Sequence, residues 1–286
     1  MTKTKKTLLI TLGCSWTFGE GAGCEKGMNA KEYEKIRYSS EYAWEFGWRR
    51  YVVEHFDVDH VNLGESGSSN LKQFHYAKNY FLSSKFANEY KSYEHIIVLW
   101  GLTTLRRTFM YFKDSKMYEN IYLEEGNVFQ TRWNTSRDKM TKAIYRYCYD
   151  DDVALRELQS DMLHWNQYFK LYPKIKNFWY DIFGSKDYTT KIRNLIDGDK
   201  PKRDLLYRIC KDHLNSEIEK WKLDIYGLES REKYDPNFLD KYSTCFGYAG
   251  EHELVNPHSF HPYKTGYKFI GDYFIKFLTP HIENGL

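Results

Sequence analysis

Apolar residues in this chain fall into two kinds of pattern. Short unbroken runs occur at residues 7–12 (TLLITL) and 95–100 (HIIVLW), and mixed β-prone stretches at 57–63 (DVDHVNL) and 176–182 (KNFWYDI). Runs of that length, rich in branched and aromatic residues and closed by glycine or polar residues, predict strands buried on both faces. Between them the apolar positions recur every three to four residues. This spacing predicts helices over 40–55, about 70–90, 153–170, 202–222 and 262–278. Ser68, Ser69 and Asn70 supply N-caps for the second of these. A loop carrying Gly19, Gly21, Gly23 and Gly27 separates the first strand from the first helix.

The order strand, helix, strand, helix, strand requires crossover connections, and so a parallel sheet with helices on both faces. The expected fold is an α/β, three-layer α/β/α sandwich with a flavodoxin-like sheet and a helical or irregular insertion. Residues 1–286 read as a single domain with insertions at about 106–150 and 184–245, where periodicity is weak. In such sheets ligands bind at the carboxyl ends of the strands. Gly13-Cys14-Ser15, Gly64 to Gly67 and Gly101 to Thr104 all fall there.

Composition narrows the partners. The chain has 286 residues, 42% hydrophobic and 18% aromatic, enough for a substantial core. Its formal net charge of +3 comes from 42 basic and 39 acidic residues and gives no footprint for nucleic acid. Five cysteines without a CxxC pair argue against a disulfide framework or zinc knuckle and fit reduced thiols in a cytoplasm. No apolar run approaches a membrane span, and no signal peptide is visible. The expected setting is cytoplasmic, or a particle assembled there.

Four segments carry candidate chemistry. Ser15 lies in G-C-S-W-T-F-G at the end of the first strand, where a serine can act as a nucleophile if a base and an oxyanion hole are near, or serve merely as a turn residue. Gly64-Glu65-Ser66-Gly67 lets the backbone approach a ligand, or simply turns the chain. Thr103 and Thr104 offer hydroxyls, and Arg106 or Arg107 can hold an anion. In N-P-H-S-F-H-P, His258 and His261 precede a helix, and His261 can take a proton from Ser15. The two imidazoles, with His252 and Glu253, are also a conceivable metal set, but no third ligand at clear spacing appears, so no metal and no cofactor are expected.

Taken in this order, the four segments resemble the SGNH (GDSL-like) hydrolase family, and their wording is similar to versions found in tailed phages. The resemblance covers roughly 7–105 and 250–280, with 153–183 as a further helix and strand. It implies Ser15 as nucleophile and His261 as general base. It also implies an oxyanion hole from the Ser15 and Gly67 backbone and Thr103, with Gly64 as the lesser substitute for Gly67. Thr104, Arg106 and Asn70 would line the substrate position. Three departures stand out: Cys14 for the usual Asp, Thr103 for the oxyanion Asn, and His258 for the triad Asp. A backbone carbonyl, Glu251, Glu253 or another carboxylate would then have to orient His261. Cys14 is an alternative nucleophile, although its side chain should point away from that of Ser15.

The implied activity is ester hydrolysis through an acyl-Ser15 intermediate, on a glycan or small ester. A catalytically reduced binding or virion-associated module on the same fold, and an acyltransferase, are the alternatives.

Overall fold

In the computed structural model the described residues are 7–25, 27–113, 116–123, 136–181 and 261–282. Four strands form one parallel sheet: β1 (Thr7–Leu12), β2 (Asp59–Asn62), β3 (His95–Leu102) and β6 (Ile175–Asp181), in the order β2-β1-β3-β6. Leu8 of β1 pairs with Asp59 on one side and Ile96 on the other, and Ile96 in turn pairs with Ile175. The chain thus winds outward in both directions from β1, which places a change of winding direction beside it, where open α/β sheets bind ligands.

Every residue of β1 is buried, and so are seven of the eight in β3. Successive side chains leave a strand on opposite faces, so each strand feeds two cores. Leu8, Ile10, Leu12, Ile96, Val98 and Trp100 pack on one face against α5 (Asn70–Phe81), α6 (Ser84–Ser92) and α8 (Asp151–Lys170). Leu9, Ile97, Leu99, Phe178 and Tyr180 pack on the other against α4 (Trp48–Phe56) and the last helix, α9 (Lys264–Ile282). The result is the expected parallel sheet between two helical layers. Full burial of a Leu or Ile contributes about 1.5–3 kcal/mol, so the two central strands anchor everything their ends carry. Much of the aromatic content lies here. Trp100 stacks on Trp179 at 4.6 Å and Trp48 on Phe274 at 4.3 Å. The Trp100 and Trp179 indole N–H groups donate to Asn177 and Asn166.

The structure departs from the expected elements in three places. The single helix over 40–55 is two, α3 (Ser40–Glu45) and α4, broken at Gly47. A Cβ there would lie 2.2 Å from the Ala43 carbonyl oxygen, so only glycine permits the turn. A further helix, α2 (Ala30–Ile36), fills part of the expected loop, opened by a capping box between Asn29 and Glu32. The helix over 70–90 splits at Ser83, whose hydroxyl accepts from Phe86 N–H and starts α6. Between residues 106 and 150 lie an antiparallel hairpin, β4 (Arg107–Phe112) with β5 (Met117–Tyr122), and the helix α7 (Ser136–Tyr147). The one-turn helix α1 (Ser15–Phe18) completes the set. The helix expected at 202–222 lies outside the described residues.

Candidate functional site

The carboxyl ends of β1, β2 and β3 carry the first three sequence segments, and the structure ties them to one another. Gly13 has φ +151°, and a side chain there would collide with Thr17 and come within 3.1 Å of the Gly101 carbonyl oxygen. The first and third segments therefore touch. Glu65 N–H donates to the Gly13 carbonyl at 3.0 Å, joining the first segment to the second. Gln73 of α5 braces the junction: its carbonyl accepts from Gly13 N–H at 2.8 Å and its amide donates to Ser68 Oγ at 2.6 Å.

Ser15 is the first residue of α1 and is buried at 4% exposure. Its hydroxyl contacts Cys14 Sγ at 3.9 Å, the weak limit of a hydrogen bond to sulfur. Cys14 is fully buried in the core on the α4–α9 side. Gly67 has φ +72° in the turn that Ser68 N–H closes on the Glu65 carbonyl. The space where its Cβ would stand is open, whereas a Cβ at Gly64 would meet Asn62 and the Phe18 backbone. Of the two glycines, Gly67 is the one whose backbone a ligand can approach.

Asn70 and Thr103 form a buried reciprocal pair. Asn70 Nδ2 donates to the Thr103 carbonyl at 2.9 Å, and Thr103 N–H donates to Asn70 Oδ1 at 2.8 Å. The Asn70 amide thus fixes the backbone of the third segment. Thr103 Oγ1 accepts from Arg107 Nη1 at 3.3 Å, and the same nitrogen donates to the Ser68 carbonyl. A hydroxyl that accepts from a guanidinium keeps its own proton for donation. Arg106 has its guanidinium 6.0 Å from the Tyr145 ring centre, and its backbone N–H donates to Thr104 Oγ1. Arg107 is the arginine that joins the second and third segments.

His261 stands just before α9, while His258, His252, Glu251 and Glu253 lie outside the described residues. The ring sits beside the loop that follows Ser15: Nδ1 is 3.3 Å from the Tyr33 hydroxyl and Nε2 is 3.5 Å from Glu20 Oε2. The Lys264 N–H donates to the Cys24 carbonyl at 2.9 Å, which fastens the start of α9 to the same loop.

Glu20 was not singled out by the sequence reading. It is 1% exposed, and its N–H donates to the Ser15 carbonyl at 2.9 Å. Arg37 Nε donates to Oε1 at 2.5 Å, Ser66 Oγ donates to Oε2, and Tyr267 donates to the Glu20 backbone carbonyl at 2.9 Å. Burial works against the Arg37 charge, yet the hydrogen bond and charge of Glu20 hold the guanidinium above its ordinary range. Burial, with the Glu20 charge added, pushes the Tyr267 phenol well up and keeps it a neutral donor. The available signal was an acidic residue set among Gly19, Gly21 and Gly23. Among the described residues no cluster of three or more His, Cys, Asp or Glu side chains could hold a metal, and no helix is long and apolar enough to cross a membrane.

These features define a parallel α/β sandwich with a serine, a left-handed glycine and a threonine gathered at its strand ends. No family model and no curated protein matches the chain. Among solved structures it is similar to a protein from Desulfitobacterium hafniense DCB-2 described as lipolytic and of the G-D-S-L family, at 11% identity and TM-score 0.38, covering 95% of this chain and 99% of that one. It is similar to an acetyl xylan esterase from Butyrivibrio proteoclasticus at 11% identity and TM-score 0.43, covering 99% of this chain and 65% of that one. A lipase/acylhydrolase from Enterococcus faecalis gives 10% identity, TM-score 0.36 and 96% coverage of both chains.

Proposed function

We propose that the chain is an SGNH-type serine acyl hydrolase that removes a small acyl group, such as acetyl, from a glycan or small ester. The observation that carries this reading is the junction of three strand-end segments at Gly13, next to Ser15, with the His261 imidazole set against the loop that follows. In the reaction Ser15 Oγ attacks the ester carbonyl carbon while His261 takes the hydroxyl proton. The tetrahedral oxyanion is held by the Ser15 and Gly67 N–H groups and the Thr103 hydroxyl. Collapse expels the alcohol, which receives the proton from His261. Water, deprotonated by the same ring, then attacks the acyl-Ser15 ester and releases the acid and the free hydroxyl.

Short-chain aryl ester hydrolysis tests the assignment. Ser15→Ala is expected to lose at least about 10³-fold in kcat, as removal of a nucleophile does in serine triads. Equal rates in the two proteins would remove Ser15 from the chemistry.

One observation favours a second reading, a binding module on the same fold. The resting Ser15 hydroxyl faces Cys14 Sγ, while the His261 nitrogens face Tyr33 and Glu20. Glycan binding by a folded chain that turns over no ester would support that reading instead.

A further inference from the structure

We propose that Glu20, on the loop that follows the nucleophile, is the carboxylate that orients His261. This rests on the hydrolase reading above. The resemblance places His258 where a triad carboxylate would be expected, so the group that orients His261 comes from elsewhere. Among the described residues Glu20 places a carboxylate beside the ring: Oε2 lies 3.5 Å from Nε2. It is itself held rigidly, by Arg37 on Oε1 and Ser66 on Oε2, with its backbone carbonyl bound by Tyr267. A buried carboxylate fixed by a guanidinium and a hydroxyl has little freedom to swing away, which is what an orienting group requires.

The consequence is a definite tautomer. With Nε2–H turned to Glu20, the lone pair would sit on Nδ1, 3.3 Å from the Tyr33 hydroxyl, which would then be the donor. For Nδ1 to take the Ser15 proton, the Tyr33 hydroxyl must first give up that nitrogen. The imidazolium so formed places its charge against Glu20, and the proton passes to the leaving alcohol. Ser66 adds a link: its hydroxyl ties the turn bearing Gly67 to the carboxylate that orients the base. Among the described residues the ionisable groups around this pair include Arg37 on Glu20, Tyr33 on the ring, and Tyr38 and Tyr267, whose phenols are raised chiefly by burial and further by the Glu20 charge.

The test combines ring ¹⁵N NMR of the full chain with pH profiles of ester hydrolysis. The wild-type His261 ring is expected in the Nε2–H tautomer. Glu20→Gln keeps the shape but not the charge. It is expected to lower kcat by about 10²- to 10⁴-fold with a smaller effect on KM, and to move the acid limb of kcat/KM to lower pH, because the imidazolium loses its counter-charge. Glu20→Asp should recover part of the rate. An Nδ1–H tautomer in the wild-type protein would overturn the proposal without any variant, as would a folded Glu20→Gln protein with wild-type kcat and pH profile. If the wild-type protein hydrolyses no ester, the hydrolase reading fails, and the tautomer still decides whether Glu20 orients the ring.

Discussion

Two histidines show how much a ring's surroundings decide. His261 lies between a carboxylate and a phenol. His60, on β2, stacks against Trp44 and shares a 3.0 Å hydrogen bond with Thr11 Oγ1. Burial, assisted by the positive charge of Arg49, lowers its pKa to about 3. The folded chain therefore leaves His60 neutral where the unfolded chain, with a pKa near 6.5, would bind a proton. The unfolded state then holds more protons between about pH 3 and 6.5, so stability falls as pH drops through that window. Urea midpoints at pH 7 and pH 5 should fall further apart for wild type than for His60→Gln. Equal losses in the two proteins would show that His60 titrates normally. Nothing in the local sequence D-V-D-H-V-N-L distinguished this ring from a solvated one, because Trp44 and Arg49 approach it from other elements.

At the level of elements, the strands of the parallel sheet were legible and the helix boundaries were not. β1 and β3 are buried on both faces, which demands unbroken apolar runs, and such runs are readable. Gly47 and Ser83 interrupt patterns whose apolar spacing continues across the break, so the splits into α3/α4 and α5/α6 required knowing that the Ala43 carbonyl and the Phe86 N–H lie against them. The β4–β5 hairpin alternates partly exposed Tyr, Met and Glu residues, a weak signal outside a sheet core. Asn70 shows how an element end serves the site. It opens α5 and clamps the Thr103 backbone after β3. Asn70→Ala would leave a buried N–H and carbonyl of Thr103 without partners, at about 1–3 kcal/mol each. A loss of about 2–4 kcal/mol in denaturant unfolding is expected, together with reduced turnover from a displaced Thr103. A loss under about 0.5 kcal/mol would show that water replaces the amide without cost.

For the molecule as a whole, the sheet order β2-β1-β3-β6 brings three loops to one edge, and α9 returns His261 to the first of them. That convergence was readable as segments at strand ends. The Glu20 contact was not, since it depends on how a glycine-rich loop folds against a helix start far along the chain. Covalent labelling with a fluorophosphonate tests most directly whether Ser15 is a nucleophile activated in this setting. Peptide mapping of the labelled protein should place one adduct on Ser15, absent from Ser15→Ala and formed far more slowly in His261→Gln. A folded wild-type chain that takes up no label, or carries it on another residue such as Cys14, would contradict the account.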